Sequence, residues 1–251
     1  NRKTGEVINS VKGSYTVSQN DEIVEDVVKG MKPFGELSVS NAGSLNGGRR
    51  VFMQLGIDGM SKVGDDKVKR YVTIIDSNDG SSGLSVGIGD LTLSCSNQFY
   101  HFRKNAQYKS RHTKTIEEKI MQLPTMIEGA LSQSMRMIEL YNKFASTPAS
   151  KELAHKMVNH VLGIDRTMKP KELEELSTRN RNAMDMLYKH INKEMEQKGN
   201  NLWGLHSGVT SWTTHDKSAP RRDNGRIESS MLGTNYRTNQ KSLEFAEMVM
   251  S

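Results

Sequence analysis

The segment from Leu91 to Ile116 has the residue types of a surface that binds nucleic acid. It has no acidic residue over 26 positions, and it carries several cations and most of the clustered aromatic residues of the chain. Proteins that bind single-stranded nucleic acid combine cations that follow the phosphates with rings that stack on the bases. We name this stretch the basic–aromatic segment (91–116).

Two sets of side chains in this segment are predicted to contact nucleic acid. The phosphate-binding set is Arg103, Lys104, Lys109, Arg111, His112 and Lys114. The stacking set is Tyr100, Phe102 and Tyr108. The alternative interpretation is a connection between a sheet and a helix, with aromatic rings packed inward and lysines left in solvent.

Two further arginines extend the candidate surface. Arg49 and Arg50 follow a glycine-rich turn and begin a predicted strand. Because successive side chains of a strand point to opposite faces, at most one of the two lines a given surface. The arginines at 221, 222 and 226 lie beside Asp216 and Asp223, and that stretch reads as a solvated loop.

Catalytic patterns are weaker. The histidines, at 101, 112, 155, 160, 190, 206 and 215, include no pair at the four-residue spacing that places two imidazoles on one helical face. Cys95 lies in an alternating pattern and is expected to be a small buried residue. Asp76, Asp79 and Asp90 are carboxylates that could bind a divalent ion, although turn formation explains Asp79 and Asp90.

Composition excludes several classes of protein. The chain has 251 residues with 35 Lys and Arg against 29 Asp and Glu, which gives a net charge of +6. The mean hydropathy is −0.64, and no apolar run approaches the ~18 residues that a membrane span requires. One cysteine permits no internal disulfide and favours a reducing, cytoplasmic setting. No signal peptide is visible at the start of the sequence.

The glycine-rich region 1–113 is predicted to form three to five antiparallel strands. Asn46-Gly47-Gly48 is a strong hairpin turn, and RYVTIID (70–76) and Leu84–Ser94 are strands on either side of a second turn. Within this second strand, the alternating apolar residues change from even-numbered to odd-numbered positions at Gly89-Asp90. A β-bulge there would keep one apolar face inward.

The region 114–199 is predicted to be helical, and 200–251 to be a mixed segment that returns to the core. The first helix runs from Ile116 to Phe144, with a kink at Pro124. The second is Lys151–Leu162, ended by Gly163. The third is Pro170–Lys198, and Ser242 caps a short closing helix. The fold class is α+β, with the three regions forming one composite domain.

Four stretches resemble the phage and plasmid proteins grouped as domain of unknown function 932. They are NAGSLNGGRRVFMQL (41–55), YVTIIDSNDGSSGLSVGIGDLTLSCSNQF (71–99), RHT (111–113) and WGLHSGVTSWTTH (203–215). The positions that fit the family pattern are Cys95, Asn97, Arg111, His112, Thr113, Trp203, Gly204, Val209, Thr210 and His215. A glutamate of that pattern is replaced by Ser211 and a tyrosine by Trp212.

The resemblance implies an origin in mobile elements and no established reaction. A hairpin-rich sheet followed by a long helix beside a basic segment is also similar in layout to phage single-strand annealing proteins. That likeness implies an oligomer that works without a nucleotide cofactor, although a fold does not determine a function.

The leading hypothesis is therefore a homo-oligomer in the host cytoplasm that binds single-stranded DNA, without a cofactor or metal, and anneals strands during phage or plasmid recombination. One alternative is a metal-dependent enzyme that processes nucleic acid, with His112, His215, Asp76 and Asp79 converging. The other is a non-enzymatic interaction or anti-host-defence protein that uses its methionine-rich helices as a contact surface.

Overall fold

The computed structural model describes residues 5, 7–10, 13, 15, 24–25, 38–80, 83–93, 97–101, 109–110, 121–164, 176–222 and 224–251. For 98–101 and 109–110 it describes the backbone alone. The strands are β1 (Ser38–Leu45), β2 (Arg50–Gly56), β3 (Ser61–Val63), β4 (Asp66–Ser77), β5 (Leu84–Thr92), β6 (Asn97–His101) and β7 (Lys109–Ser110). The helices are α1 (Leu123–Ser146), α2 (Lys151–Leu162), α3 (Thr178–Lys198), α4 (Leu202–His215), α5 (Gly225–Met231) and α6 (Thr234–Met250). The α+β class is confirmed.

The strands form one antiparallel sheet in the order β1-β2-β4-β5-β6. The short strand β3 pairs with β4, and β7 pairs with β5. The predicted hairpin at Asn46 is confirmed, and Asn46 and Gly47 both have positive φ, at 53° and 66°. Glycine, which has no Cβ, and asparagine tolerate this conformation best, which explains the turn sequence.

The sheet is covered on both faces. On one face, alternate residues of β2, β4 and β5 pack against Leu123, Ile127 and Ala130 of α1. On the other, Phe52 and Ile75 pack against Met231 of α5. A separate helical core joins α1, α2, α3, α4 and α6, and β3 and β4 reach it through one valine each.

The predicted β-bulge at Gly89-Asp90 is wrong. The pairing of β4 with β5 is regular from Val68 opposite Thr92 to Ile75 opposite Ser85, so the alternation of side chains continues unbroken. Asp90 therefore shares a face with Ile88, under α1, and is 3% exposed, whereas Leu93 is 41% exposed. The backbone ladder keeps its register even though a carboxylate enters the core.

Three predicted helix boundaries differ from the structure. Helix α1 begins at Leu123, so Pro124 lies in its first turn, where its missing N–H costs nothing. The described part of the third predicted helix begins at Thr178, after an N-cap by Ser177. The closing helix begins at Thr234, and Ser242 lies inside it with its hydroxyl donating to the Asn239 carbonyl. Lys151–Leu162, ended by Gly163 with φ 71°, is confirmed.

Two glycines let α4 approach α3 closely. A Cβ at Gly208 would lie 2.5 Å from the Cα of Ile191, and one at Gly204 would lie 2.7 Å from the Gly199 carbonyl oxygen. These glycines are four residues apart and therefore share one face of α4. The contact fixes the position of α4, which carries most of the polar groups described below.

Gly208→Ala is expected to lower the free energy of unfolding by about 2 kcal/mol, because the added methyl group must push the α3 backbone away. Urea denaturation followed by tryptophan fluorescence measures this change. Ser132→Ala, on an exposed position of α1, serves as the control and should change stability by less than about 0.5 kcal/mol. Equal stabilities of the two variants would contradict the close packing.

Candidate nucleic-acid interface

The backbone places two stretches of the basic–aromatic segment, residues 97–101 and 109–110, at one edge of the sheet. Strand β6 pairs with the second half of β5, Tyr100 lying opposite Gly89. Strand β7 pairs with the start of β5, Lys109 lying opposite Ser85. Both described stretches of the segment thus lie along β5.

Most side chains of the predicted interface lie outside the described residues. These are Phe102, Arg103, Lys104, Tyr108, Arg111, His112 and Lys114. For Tyr100 and Lys109 the structure gives the backbone position only. Their contacts with phosphates and bases therefore stay predictions, and Cys95 also lies outside the described residues.

The two arginines after the hairpin turn differ in their surroundings. Arg49 is exposed in the turn. Arg50 donates from Nη1 to Glu228 Oε1 at 3.0 Å, and Arg222 donates to the other oxygen of the same carboxylate at 2.6 Å. Glu228 is buried and joins the start of β2 to α5. The charge of Arg50 is therefore partly neutralised by an internal ion pair, and that of Arg49 is the better placed for a phosphate.

A cationic cluster lies at the C-terminal end of α4, where the sequence suggested only a solvated loop. Lys217 donates from Nζ to Asn235 Oδ1 at 3.1 Å, and its Nζ lies 5.7 Å from the centre of the Trp212 ring. Burial, followed by the charges of Arg179 and Arg237, lowers the pKa of Lys217. We name Arg179, Lys217, Arg226 and Arg237 the α4 cationic cluster.

Arg226 joins this cluster through the backbone. Its Nη1 donates to the carbonyls of Thr214 and Lys217, both at 3.1 Å. These carbonyls lie at the negative end of the α4 dipole, which a cation stabilises. Arg179 lies in the first turn of α3 and Arg237 lies in α6. They are 38 and 20 residues from Lys217 along the chain. Charge counting within one loop could not reveal a cluster assembled from three separate segments.

The family-like residues of α4 serve the interior. Trp203 is 1% exposed and donates from Nε1 to Asp66 Oδ2 at 2.7 Å. Asn97 donates from Nδ2 to the Ser207 carbonyl at 3.1 Å, which attaches β6 to α4. Val209 and Thr210 are buried, and His215 is exposed at the end of the helix.

Ser211, His190 and Asp216 form a hydrogen-bonded chain that resembles a hydrolase triad in composition. His190 Nδ1 lies 2.8 Å from Ser211 Oγ, and its Nε2 lies 2.6 Å from Asp216 Oδ2. However, Ser211 is 2% exposed while the side chain of Asp216 is 46% exposed. The hydroxyl that would attack a substrate points inward, so the chain of hydrogen bonds holds α3 to the end of α4 rather than performing hydrolysis.

The carboxylates proposed for a metal lie in or beside the β4–β5 turn, apart from Asp90. Asp79 accepts a hydrogen bond from Ser77 Oγ at 2.8 Å, and Asp76 is 1% exposed. Burial, with the charges of Asp76 and Asp79, raises the pKa of Tyr15 to about 12. Within the described ranges, no three His, Cys, Asp or Glu residues are grouped so as to hold a metal ion. His112, the remaining member of the enzyme hypothesis, lies outside those ranges.

The described helices include none that is long and apolar enough to cross a bilayer. A search of curated proteins and a search of solved structures each found no match. The family described as domain of unknown function DUF932 matches residues 7–243. This match covers nearly the whole sequence and includes the strands, the buried motif of α4 and most of α6. The chain therefore belongs to the DUF932 family.

Proposed function

We propose that this protein binds single-stranded DNA, as a homo-oligomer that anneals complementary strands without a nucleotide cofactor. The observation that carries the proposal is the α4 cationic cluster. The first turn of α3, the residues after α4 and helix α6 bring Arg179, Lys217 and Arg237 together, and burial, followed by the charges of the two arginines, lowers the pKa of Lys217. A phosphate bound there would offset the repulsion among these cations, because a nearby negative charge favours the protonated form of the lysine.

The cluster and the basic–aromatic segment meet the same helix. Asn97, just inside the segment, bonds to Ser207, and the cluster begins after His215. Eight residues of helix separate these points, which is about 12 Å. A single strand of a few nucleotides spans this distance, so one strand could contact the cations of both regions. The rings of Tyr100, Phe102 and Tyr108 would supply the sequence-independent stacking that such binding uses.

The double variant Arg179→Glu/Arg237→Glu is expected to bind single-stranded DNA at least about tenfold more weakly at 0.1 M salt, because two phosphate contacts become repulsive. Fluorescence anisotropy of a labelled ~40-mer, across a salt series, measures the affinity. The slope of log affinity against log salt should fall in magnitude by about 1.4, at about 0.7 per lost phosphate contact.

Lys143→Glu/Lys151→Glu is the matched control. Both lysines are exposed, and the double change alters the net charge by the same amount. They lie on either side of Thr147, whose carbonyl accepts from the Leu202 N–H at the start of α4. The start of α4 is about 20 Å along the helix from the cluster. Equal losses in the two double variants would show that net charge alone matters. Absence of single-strand binding by the unaltered protein at low salt would refute the proposal as a whole.

A further inference from the structure

Strands β3 and β4 carry a basic face on the side of the sheet opposite α1. Lys67, Lys69 and Tyr71 occupy every second position of β4, so their side chains share one face of the strand. Lys62 of β3 is paired directly with Lys67 and shares that face. Val68, between them, points the other way and is buried in the helical core. We name Lys62, Lys67, Lys69 and Tyr71 the β3–β4 basic face.

The alternation of side chains separates the charges of the sheet. The acidic residues of the described strands are Asp66, Asp76 and Asp90, and the register places all three on the α1 face. The β3–β4 basic face therefore has three ammonium groups and no carboxylate from a described strand. Asp58 and Asp65 lie in the connections before and after β3, and neither forms an ion pair with these lysines.

The lysines of this face repel one another. Lys62 and Lys67 are directly opposite in an antiparallel pair, an arrangement that is unfavourable for like charges. Both are exposed, and neither side chain has an ion-pair partner in the part of the chain that the structure describes. Lys69 Nζ lies 5.5 Å from the centre of the Tyr71 ring, as in a cation–π contact. A bound polyanion would offset this repulsion, which the fold by itself leaves uncompensated.

The ring of Tyr71 and the apolar side chains near it are accessible to a ligand. Tyr71 and Leu91 are partly exposed, and Leu93 is 41% exposed. Helix α5 covers this side of the sheet at Phe52 and Ile75, about 13 Å along β4 from Tyr71. The basic face thus combines cations with an accessible ring, which is the combination that single-stranded nucleic acid requires.

The strand register connects this face to the basic–aromatic segment. Gly89 of β5 lies opposite Tyr71 of β4 on one side and opposite Tyr100 of β6 on the other. The backbone of Tyr100 is therefore in the same row of the sheet, two strands or about 10 Å from Tyr71. A single strand of nucleic acid that contacts the basic–aromatic segment is near enough to reach the β3–β4 basic face as well.

We propose that the β3–β4 basic face is a second contact surface for the single-stranded DNA, with its lysines neutralising phosphates and Tyr71 stacking on a base. This inference rests on the proposed function and extends the path of the bound strand from β6 across the sheet. The lysines alone would suit any polyanion. The accessible ring beside them favours nucleic acid over an acidic protein segment, because a chain of carboxylates gains nothing from a stacking surface.

Lys62→Gln/Lys67→Gln should weaken binding of a labelled ~40-mer of single-stranded DNA at least about fivefold at 0.1 M salt. The slope of log affinity against log salt should fall in magnitude by about 1.4, at about 0.7 per lost phosphate contact. Because the double change removes two opposed like charges, the urea midpoint should not fall, and the loss of affinity cannot then be ascribed to unfolding. Fluorescence anisotropy measures the affinities.

Lys151→Gln/Lys156→Gln is the matched control. Both lysines are exposed on α2, which packs against α3 and α6, and the variant loses the same charge. Equal affinities and equal salt slopes of the two double variants would overturn the proposal while leaving DNA binding at the α4 cationic cluster intact. If the unaltered chain does not bind single-stranded DNA, both proposals are refuted together.

Variants of Tyr71 test the stacked base separately. Tyr71→Leu should weaken binding about fivefold or more, the lower end of the range for one stacked base, without changing the salt slope. Tyr71→Phe keeps the ring and should bind like the unaltered chain. Full affinity of Tyr71→Leu, or equal losses in Tyr71→Leu and Tyr71→Phe, would contradict stacking on this face.

Discussion

Replacing Asp90 with asparagine is expected to make the protein more stable than the unaltered chain at pH 8. Both oxygens of this buried carboxyl lack hydrogen-bond partners among the described residues. Burial raises the pKa of Asp90 from 3.8 to about 7, and the opposing effect of Arg70 across the strand pair is smaller. Ionising the group in the folded protein is therefore costly, whereas asparagine stays neutral.

The sign of the pH dependence follows from this raised pKa. Between about pH 4 and 7 the unfolded chain loses the Asp90 proton while the folded protein retains it, so stability falls as the pH rises through this window. From pH 5 to 8 the stability advantage of Asp90→Asn should grow by about 2–3 kcal/mol. Urea denaturation at pH 5, 6, 7 and 8 measures the difference.

The difference in the free energy of unfolding between Asp90→Asn and the unaltered chain cancels the titration of the groups that both proteins share. The groups near Asp90 include Arg70 on β4 and Tyr141 on α1, and burial, with the charge of Asp90 as the second cause, raises the pKa of Tyr141. Asp58→Asn, at an exposed position, is the control and should give a curve parallel to that of the unaltered chain. If the stability of Asp90→Asn also changed with pH in parallel with that of the unaltered chain, the inference that the Asp90 carboxyl is buried with a raised pKa would be contradicted.

Lys198→Met is expected to lower the free energy of unfolding by about 3–5 kcal/mol at pH 7. Methionine retains the apolar stem of the lysine but leaves the carboxylates of Asp66 and Glu194 without their shared cation. Removing one partner of a buried ion pair has a cost of this size, because the remaining charge stays desolvated. Chemical denaturation followed by tryptophan fluorescence measures the loss.

Lys156→Met provides a control with the same local geometry. Lys156 follows Glu152 by four residues in a helix, as Lys198 follows Glu194, and its Nζ lies 2.7 Å from the carboxylate. The two side chains are 54% and 75% exposed. Water already solvates both charges, so the substitution should change stability little. Similar losses in the two variants would show that burial of Lys198 does not determine its contribution.

The sequence predicted the parts of the fold that depend on local chemistry. The turn at Asn46-Gly47-Gly48 requires positive φ, and helix α2 has its N-cap at Ser150 and its end at Gly163. Such signals act over a few residues and are readable without the rest of the chain. Family membership was also readable, because its motifs are residue patterns.

Long-range pairing decided what local patterns left open. The change of parity at Gly89-Asp90 favoured a bulge, but the regular ladder between β4 and β5 overrides it and buries Asp90. The candidate interface shows the same limit. Charge runs revealed the basic–aromatic segment, whereas the α4 cationic cluster draws Arg179 and Arg237 from distant helices.

The two glutamate–lysine pairs are the simplest example of what the sequence determines and what the tertiary structure decides. By itself the sequence determined that Glu152 with Lys156, and Glu194 with Lys198, would each lie one helical turn apart. Only the tertiary structure decided that the first pair would remain in water and the second would lie beneath the β3–β4 turn beside Asp66. The physical reason is that helical spacing fixes the distance between two charges, whereas the dielectric around them is set by the segments that pack over them.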